Sequence, residues 1–236
     1  MPVPSTKDAE LVKFFRTGRQ QKYRKGEIIL RAGDTPQGIY WIESGWVKIF
    51  ALDKHGVEHT HLFYQKSDIF PMIWAFKDAI RNVYYEAFDD TVVWLVPKNE
   101  FKKFLESHAE SAVYMLEHAV NMFRLYAGRI DNLLYSSAFE RTVYRLISLL
   151  DRLGERKPDG SWIVDVPITH QDLASSVNLS RETVSRCMER LRRKGIIGPN
   201  VDKMLHVNDL PALIHIIGED EVVGMWPEFA KYLPKQ

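Results

Sequence analysis

Cysteine is nearly absent: Cys187 is the one cysteine in 236 residues, so an internal disulfide is excluded. Such usage is typical of proteins in the reducing cytoplasm, and we expect a cytoplasmic protein. Apolar runs approaching the roughly 20 residues of a membrane-spanning helix are lacking as well. The first residues lack the basic and then apolar order of a signal peptide, so we expect no membrane association.

A strong net charge is also missing, because 32 Lys and Arg stand against 31 Asp and Glu. The composition as a whole therefore does not indicate a nucleic-acid partner. The basic charge is local, and Glu189 is the one acidic residue within its main cluster. The cluster consists of Arg186, Arg190, Arg192, Arg193 and Lys194. A cluster of this kind suits contact with phosphates.

Residues 168–186 have the pattern of two short helices joined by a tight turn. Thr169 and Ser180 are candidate N-caps of the two helices. Val184, Met188 and Leu191 recur at helical spacing and face a core, which leaves polar residues on the other side near the start of the second helix. There, Arg can pair with guanine and Glu can accept from cytosine, which predicts a recognition helix. The predicted DNA-contacting residues are Thr169, His170, Ser180, Arg181, Glu182, Ser185, Arg186 and Arg190. The alternative is an ordinary helical hairpin with a solvated charged face.

Residues 195–207 have the pattern of a strand, a turn and a second strand, which predicts a wing. The whole segment resembles the winged helix-turn-helix of the cyclic-AMP receptor protein/FNR (Crp/Fnr) family of bacterial transcription regulators. Arg181, Glu182, Ser185 and Arg186 match the reading pattern of that family. The resemblance implies double-stranded DNA with TGA-containing half-sites as the partner and no enzymatic activity. It also implies an activator that contacts RNA polymerase through a loop near 157–160.

The N-terminal half, from about Gln20 to Val96, reads as short strands separated by glycines, which is typical of a sandwich or barrel-like roll. Residues 14–104 resemble the cyclic-nucleotide-binding β-roll of the same family, notably Tyr23-Arg-Lys-Gly-Glu-Ile-Ile and Ala32-Gly-Asp. We therefore predict an α+β fold with four parts. These are a β-roll sensor domain (1–106), a long dimerisation helix (107–135), a winged helix-turn-helix DNA-binding domain (136–208) and a C-terminal extension (209–236).

The residues expected to hold a cyclic nucleotide are mostly replaced. In the nucleotide-binding members a Gly-Glu pair holds the ribose and an Arg-Ser pair holds the phosphate. Pro71 and Met72 stand at the first pair and Arg81 and Asn82 at the second, so cyclic AMP is not the expected effector. An unidentified small molecule is expected instead, and a filled core is the alternative. The candidate pocket residues are His61, Phe70, Met72, Trp74, Arg81, Asn82 and Phe123.

His59 and His61 raise a second function class, because on a regular strand they share one face and could bind a transition metal. Metal-binding cupins use a similar small barrel, but their pattern has a glutamate a few residues after the second histidine, and 62–67 contain none. A cupin-like metal-binding protein or enzyme remains the alternative function. We expect no cofactor, since the iron–sulfur cluster of the FNR branch requires several cysteines.

An uninterrupted helical pattern runs from about Ser107 to Leu134. Its apolar residues alternate at spacings of three and four, which predicts a coiled-coil seam of about three heptads. The seam consists of Leu116, Ala119, Phe123, Tyr126, Ile130 and Leu133. Val113, Val120 and Leu134 predict a second apolar side for the roll. The alternative is a helix packed only on its own roll, whereas the resemblance implies a homodimer formed through this helix, with a hinge at 135–138.

Overall fold

Short strands come first along the chain and helices predominate after them, as in a fold of the α+β class. The computed structural model describes residues 9–135, 137–164, 166, 168–199 and 204–233, apart from the side chains of Leu134 and Tyr135. One compact unit covers 2–121 and another covers 122–236. None of the helices described is long and apolar enough to cross a membrane.

The first unit carries the predicted strands. Its elements are α1 (Ala9–Phe15), β1 (Arg19–Tyr23), β2 (Ile28–Leu30), β3 (Ile39–Ser44), β4 (Val47–Leu52), β5 (Glu58–Tyr64), β6 (Ile69–Phe70), α2 (Met72–Lys77), β7 (Tyr84–Ala87), β8 (Thr91–Val96), α3 (Lys98–Ser107) and the start of α4 (Ala109–Tyr135). The strands form two antiparallel sheets, with orders β1-β8-β3-β6 and β2-β7-β4-β5.

An aromatic layer joins the two sheets. The Phe70 ring from the first sheet lies 5.1 Å from Tyr40 of the same sheet and 4.9 Å from Tyr85 of the second sheet. Because side chains alternate along a strand, Trp41 points to the opposite face of β3. It packs there with Phe15 of α1 and Phe101 of α3. The first sheet is therefore buried on both faces, as the predicted β-roll requires.

The second unit is mainly helical. After the end of α4 it contains α5 (Ala138–Leu153), β9 (Gly154–Arg156), β10 (Trp162–Val164), α6 (His170–Val177), α7 (Arg181–Arg193), β11 (Leu205–Val207), α8 (Leu210–Ile217), α9 (Glu219–Met225) and a 3₁₀ helix (Pro227–Tyr232). Ser137 caps α5 through a capping box with Glu140. Leu146, Ile147 and Leu150 of α5 are almost fully buried, because other elements cover this helix on most sides. The predicted hinge at 135–138 includes Ser136, which lies outside the described residues.

The wing of the second unit differs from the predicted two-stranded hairpin. Ile197 forms a single bridge with Val207 rather than a strand, and the sheet is completed by β10 and β9, in the order β11-β10-β9. The sequence pattern missed these two strands because each has three residues, and Gly-Glu-Arg in β9 lacks strand-forming side chains. The predicted turn includes 200–203, outside the described residues.

Candidate nucleic-acid interface

Side-chain caps set the helix-turn-helix. The Thr169 hydroxyl accepts a hydrogen bond from the Asp172 amide, and the Asp172 carboxylate accepts one from the Thr169 amide. Asn178 ends α6 in the left-handed conformation, with φ of 53°. Ser180 then caps α7 by accepting a hydrogen bond from the Thr183 amide at 3.2 Å. The caps that the sequence predicted are confirmed, and both hydroxyls serve the fold whatever else they contact.

The two sides of α7 differ as the helical spacing predicts. Val184, Met188 and Leu191 are buried against the rest of the unit. Arg181, Glu182 and Arg186 are exposed, and Ser185 is half-buried. These four side chains therefore form a polar surface over the first two turns of α7, which we call the reading face.

The charged side chains of Arg186 and Glu182 on the reading face form hydrogen bonds with residues near them at the start of α7. Arg186 Nη2 donates to Thr183 Oγ1 at 3.3 Å. A hydrogen bond from its own backbone amide and one from Ser180 lower the pKa of Glu182, with smaller contributions from Arg181 and Arg186. Glu182 is therefore a carboxylate at neutral pH, an acceptor that suits the amino group of cytosine.

The second half of α7 has a different character. Glu189 accepts from Arg192 and from Arg193, each at 3.0 Å. The guanidinium of Arg190 lies 4.0 Å from the centre of the Phe139 ring. Arg190, Arg192 and Arg193, the three arginines in this half of α7, are thus engaged within the chain. The sequence analysis did not predict the contact of Arg190 with Phe139 or the ion pairs of Glu189. The i,i+3 and i,i+4 spacing of Glu189 to Arg192 and Arg193 does indicate the ion pairs.

His170, the first residue of α6, is turned partly inward. It is half-buried, and among the described residues its Nε2 atom has no hydrogen-bond partner. A cavity of about 20 Å³ lies beside it, bounded also by Arg192 and His206, and this is room for one water molecule. Burial, and then the charges of Arg192 and Arg181, lower the pKa of His170. Its predicted contact with DNA stays a prediction.

Three of the predicted effector residues belong to packed cores. Phe70 is fully buried in the aromatic layer between the sheets. Met72 and Trp74, both on α2, are partly buried against the cluster that α1 and α3 cover. Phe70 therefore lies in a filled core, as the alternative prediction has it, and not in the wall of a pocket.

The other predicted effector residues are more accessible. Arg81 Nη2 lies 3.3 Å from His61 Nδ1, so these two side chains meet. Asn82 is exposed. Phe123, on α4, is 74% exposed. His61 and Arg81 are the polar pair from the predicted set that the described contacts bring together.

The metal alternative finds no support in this geometry. His59 Nε2 lies 3.3 Å from Asp53 Oδ2, whereas His61 turns to Arg81. A bulge lies at His61, since Ile49 pairs with Leu62 and the next residue, Phe50, pairs with Thr60. The regular alternation on which the shared face depended is therefore interrupted at His61. Across the described ranges, no three His, Cys, Asp or Glu residues are grouped so as to hold a metal ion.

Most of the predicted seam of α4 is exposed. Leu116, Phe123 and Ile130 are 64%, 74% and 57% exposed, and Ala119 is also exposed. Tyr126 and Leu133 are half-buried. The described residues of the single chain therefore leave this apolar row along the helix uncovered.

The buried side of α4 differs from the prediction. Val113 and Val120 are exposed, by 53% and 59%, so their assignment to the side facing the roll is wrong. Met115, Met122 and Leu125 are the buried apolar residues instead. Valine and methionine give the same periodic signal, so the sequence pattern could not distinguish the two faces. The side chain of Leu134 is outside the described part.

Comparisons with known proteins agree with both units. A family model described as a cyclic nucleotide-binding domain matches residues 20–108, and a model described as a Crp-like helix-turn-helix domain matches 144–216. The anaerobic regulatory protein of Bacillus subtilis is 28% identical over 80% of this chain and 78% of its own length. The global nitrogen regulator of Synechococcus elongatus is 26% identical over 75% of this chain and 80% of its own.

Solved structures show the same fold. A CooA mutant from Carboxydothermus hydrogenoformans superposes with a TM-score of 0.76 at 18% identity, covering 92% of this chain and 98% of that one. FixK2 from Bradyrhizobium japonicum gives 0.73 at 22% identity, covering 85% and 98%. The named relatives are regulators and not enzymes, so the cupin-like enzyme alternative is wrong.

Proposed function

This chain belongs to the Crp/Fnr family of transcription regulators, and on that premise we propose that it is a homodimer that binds an inverted repeat with TGA-containing half-sites. It works in the cytoplasm as an activator that contacts RNA polymerase. The roll (1–106) responds to a small molecule other than cyclic AMP, and the helix at 107–135 forms the dimer. The winged helix-turn-helix domain (136–208) binds DNA, and a C-terminal extension (209–236) follows it.

The reading face is the observation that carries this proposal. Arg181, Glu182 and Arg186 are exposed at the start of α7, where a recognition helix contacts base edges. By contrast, Arg192 and Arg193 lie in the second half of α7, where they pair with Glu189 while the Arg193 side chain stays 78% exposed. This division supports direct base contact at the start of the helix, with contact to the phosphate backbone from its second half. Thr169, His170, Ser180 and Arg190 are proposed as contacts at the edge of that surface.

The exposed seam of α4 supports the homodimer. Phe123 and Ile130 are among the most exposed large apolar residues described, and a second copy of α4 would cover them. Two recognition helices related by a two-fold axis would then require a site with the same symmetry.

The exclusion of cyclic AMP rests on three substitutions. Pro71 and Met72 replace the pair that holds the ribose, and Met72 is the first residue of α2. Asn82 replaces the serine of the phosphate-binding pair. Arg81 remains and lies beside His61, which supports an effector that has an acceptor group for these two side chains.

The test is binding to two duplexes of equal length, one an inverted repeat with TGA half-sites and one with the half-sites scrambled. Wild-type protein should prefer the first by fluorescence anisotropy. Arg186→Ala should lose about 1–3 kcal/mol of that preference, because one bidentate base contact is removed. Arg193→Ala is the matched control, since this arginine lies in the half of α7 that is proposed to contact phosphates and its side chain is 78% exposed; its loss should weaken both duplexes alike. Equal loss of preference in both variants would contradict the proposal.

A further inference from the structure

The last part of the chain lies beyond the matched DNA-binding domain, which ends at residue 216. We call residues 218–233 the C-terminal segment. Its apolar side chains are nevertheless buried: Val222, Trp226 and Phe229 are 0%, 1% and 2% exposed. Trp226 is among the largest fully buried side chains described in the chain. The segment is therefore part of the core of the second unit, not a solvated tail.

One side of the C-terminal segment packs on the DNA-binding domain. The Trp226 ring lies 4.7 Å from Tyr144 of α5, measured between centroids. Phe229 and Tyr232 meet the Trp162 ring of β10 edge-on, at 5.7 and 5.4 Å. These contacts attach the segment both to the central helix of the domain and to the sheet of its wing.

The other side of the C-terminal segment reaches α4. Arg124 of α4 donates a hydrogen bond to the Met225 carbonyl oxygen. The same guanidinium lies 3.4 Å from Asp151 of α5. Asp151 in turn shares a hydrogen bond with Glu228 of the segment. A single α4 side chain thus joins α4, α5 and the C-terminal segment.

Gly128 allows α4 to approach this closely. It is buried in the helix, and a Cβ atom there would overlap the Tyr144 hydroxyl and lie 2.6 Å from Met225 Cε. Glycine weakens a helix interior relative to alanine, so its presence requires a reason such as this close packing. Gly224 of α9 is a natural comparison, because a Cβ atom there would meet nothing within 4 Å.

We infer that the C-terminal segment is a clasp that holds the second half of α4, residues 122–135, against the DNA-binding domain. The clasp consists of Arg124, Gly128, Tyr144 and Asp151 on the helices, and Met225 and Trp226 on the segment. It fixes the position of the recognition helix relative to the end of α4. Where α4 forms the dimer, which rests on the proposed function, the clasp also sets the distance between the two recognition helices.

The first test compares Gly128→Ala with Gly224→Ala in the full-length protein by hydrogen exchange. Helix propensity alone favours alanine at both positions. Gly128→Ala should instead lose protection in 122–135 and in 218–233 together, because its methyl group collides with Tyr144. Gly224→Ala should retain or gain protection. Unchanged exchange in both segments of Gly128→Ala overturns the clasp.

A second-site variant separates a steric effect from general misfolding. Tyr144→Phe removes the hydroxyl that the new methyl group would meet, and Met225 has a flexible side chain that can move aside. The double variant Gly128→Ala/Tyr144→Phe should therefore recover protection in both segments. Tyr144→Phe alone should be protected like wild type. If it is, and the double variant still fails to recover protection, the collision with Tyr144 is not the cause and the inference is contradicted.

The positional part is tested with duplexes whose TGA half-sites are set at a series of spacings. Wild type and Gly224→Ala should bind one spacing best, and Gly128→Ala should bind neighbouring spacings nearly as well. If Gly128→Ala raises hydrogen exchange in 122–135 and 218–233 but leaves the preferred spacing unchanged, the clasp exists but does not set the positions of the recognition helices. If wild type binds no such duplex, the proposed function fails, and hydrogen exchange still decides on the clasp.

Discussion

The exposed seam of α4 gives the most quantitative prediction. Phe123 and Ile130 are 74% and 57% exposed, and we propose replacing both with glutamate. Full burial of such a side chain contributes about 1.5–3 kcal/mol. Scaled by these exposures and counted on both chains, the two positions contribute on the order of 6 kcal/mol to dimer formation. The dissociation constant of the dimer should therefore rise by roughly 10⁴-fold.

Sedimentation equilibrium over a range of protein concentrations measures this change directly. The matched control places glutamate at Ile73 and Ile80 of the roll, which are similarly exposed isoleucines, at 48% and 45%. This control should remain dimeric, and it should bind operator DNA like wild type. A wild-type protein that is monomeric at micromolar concentration would contradict dimer formation through α4, as would an α4 variant that dimerises normally.

Three further predictions concern stability and the effector. Trp226→Ala should destabilise the second unit by about 3–5 kcal/mol in thermal or denaturant unfolding, since a fully buried ring is removed, and a loss below about 1 kcal/mol contradicts its core role. Burial and the hydrogen bond with Glu228 raise the pKa of Asp151 to about 7, with Arg124 and Arg152 opposing. Folding therefore favours the protonated acid, so its contribution to stability is present below about pH 4 and is lost as the pH rises to about 7. Melting temperature should fall over that range more steeply in wild type than in Asp151→Asn, and parallel curves count against this. Calorimetric titration with cyclic AMP should show no binding at micromolar concentration, and binding there, coupled to stronger DNA affinity, disproves the exclusion.

Elements with a strong periodic pattern could be predicted from the sequence. The helices α4, α6 and α7 have apolar residues at regular helical spacing, and Thr169 and Ser180 mark the starts of α6 and α7. The polar reading face follows directly from that spacing, because the residues between the buried ones must face outward.

Features that depend on distant partners could not be predicted in this way. The strand β1, Arg-Gln-Gln-Lys-Tyr, has little strand propensity and forms because β8 pairs with it. The sequence alone assigns no role to the C-terminal segment, because the partners of Trp226 and Arg124 lie far away in the sequence, at Tyr144 and Met225. The full burial of Phe70 depends in the same way on the packing of one sheet against the other.

Selection of bound sequences from a pool of random duplexes decides whether α7 is the recognition helix of a two-fold symmetric dimer. We expect enrichment of an inverted repeat with TGA-containing half-sites, whose centres lie about one helical turn, or roughly 34–36 Å, apart. Arg186→Ala should relax the preference at one base pair in each half-site. Enrichment of a site without two-fold symmetry, or of the same site by wild type and Arg186→Ala, would contradict the assignment of α7 as the recognition helix.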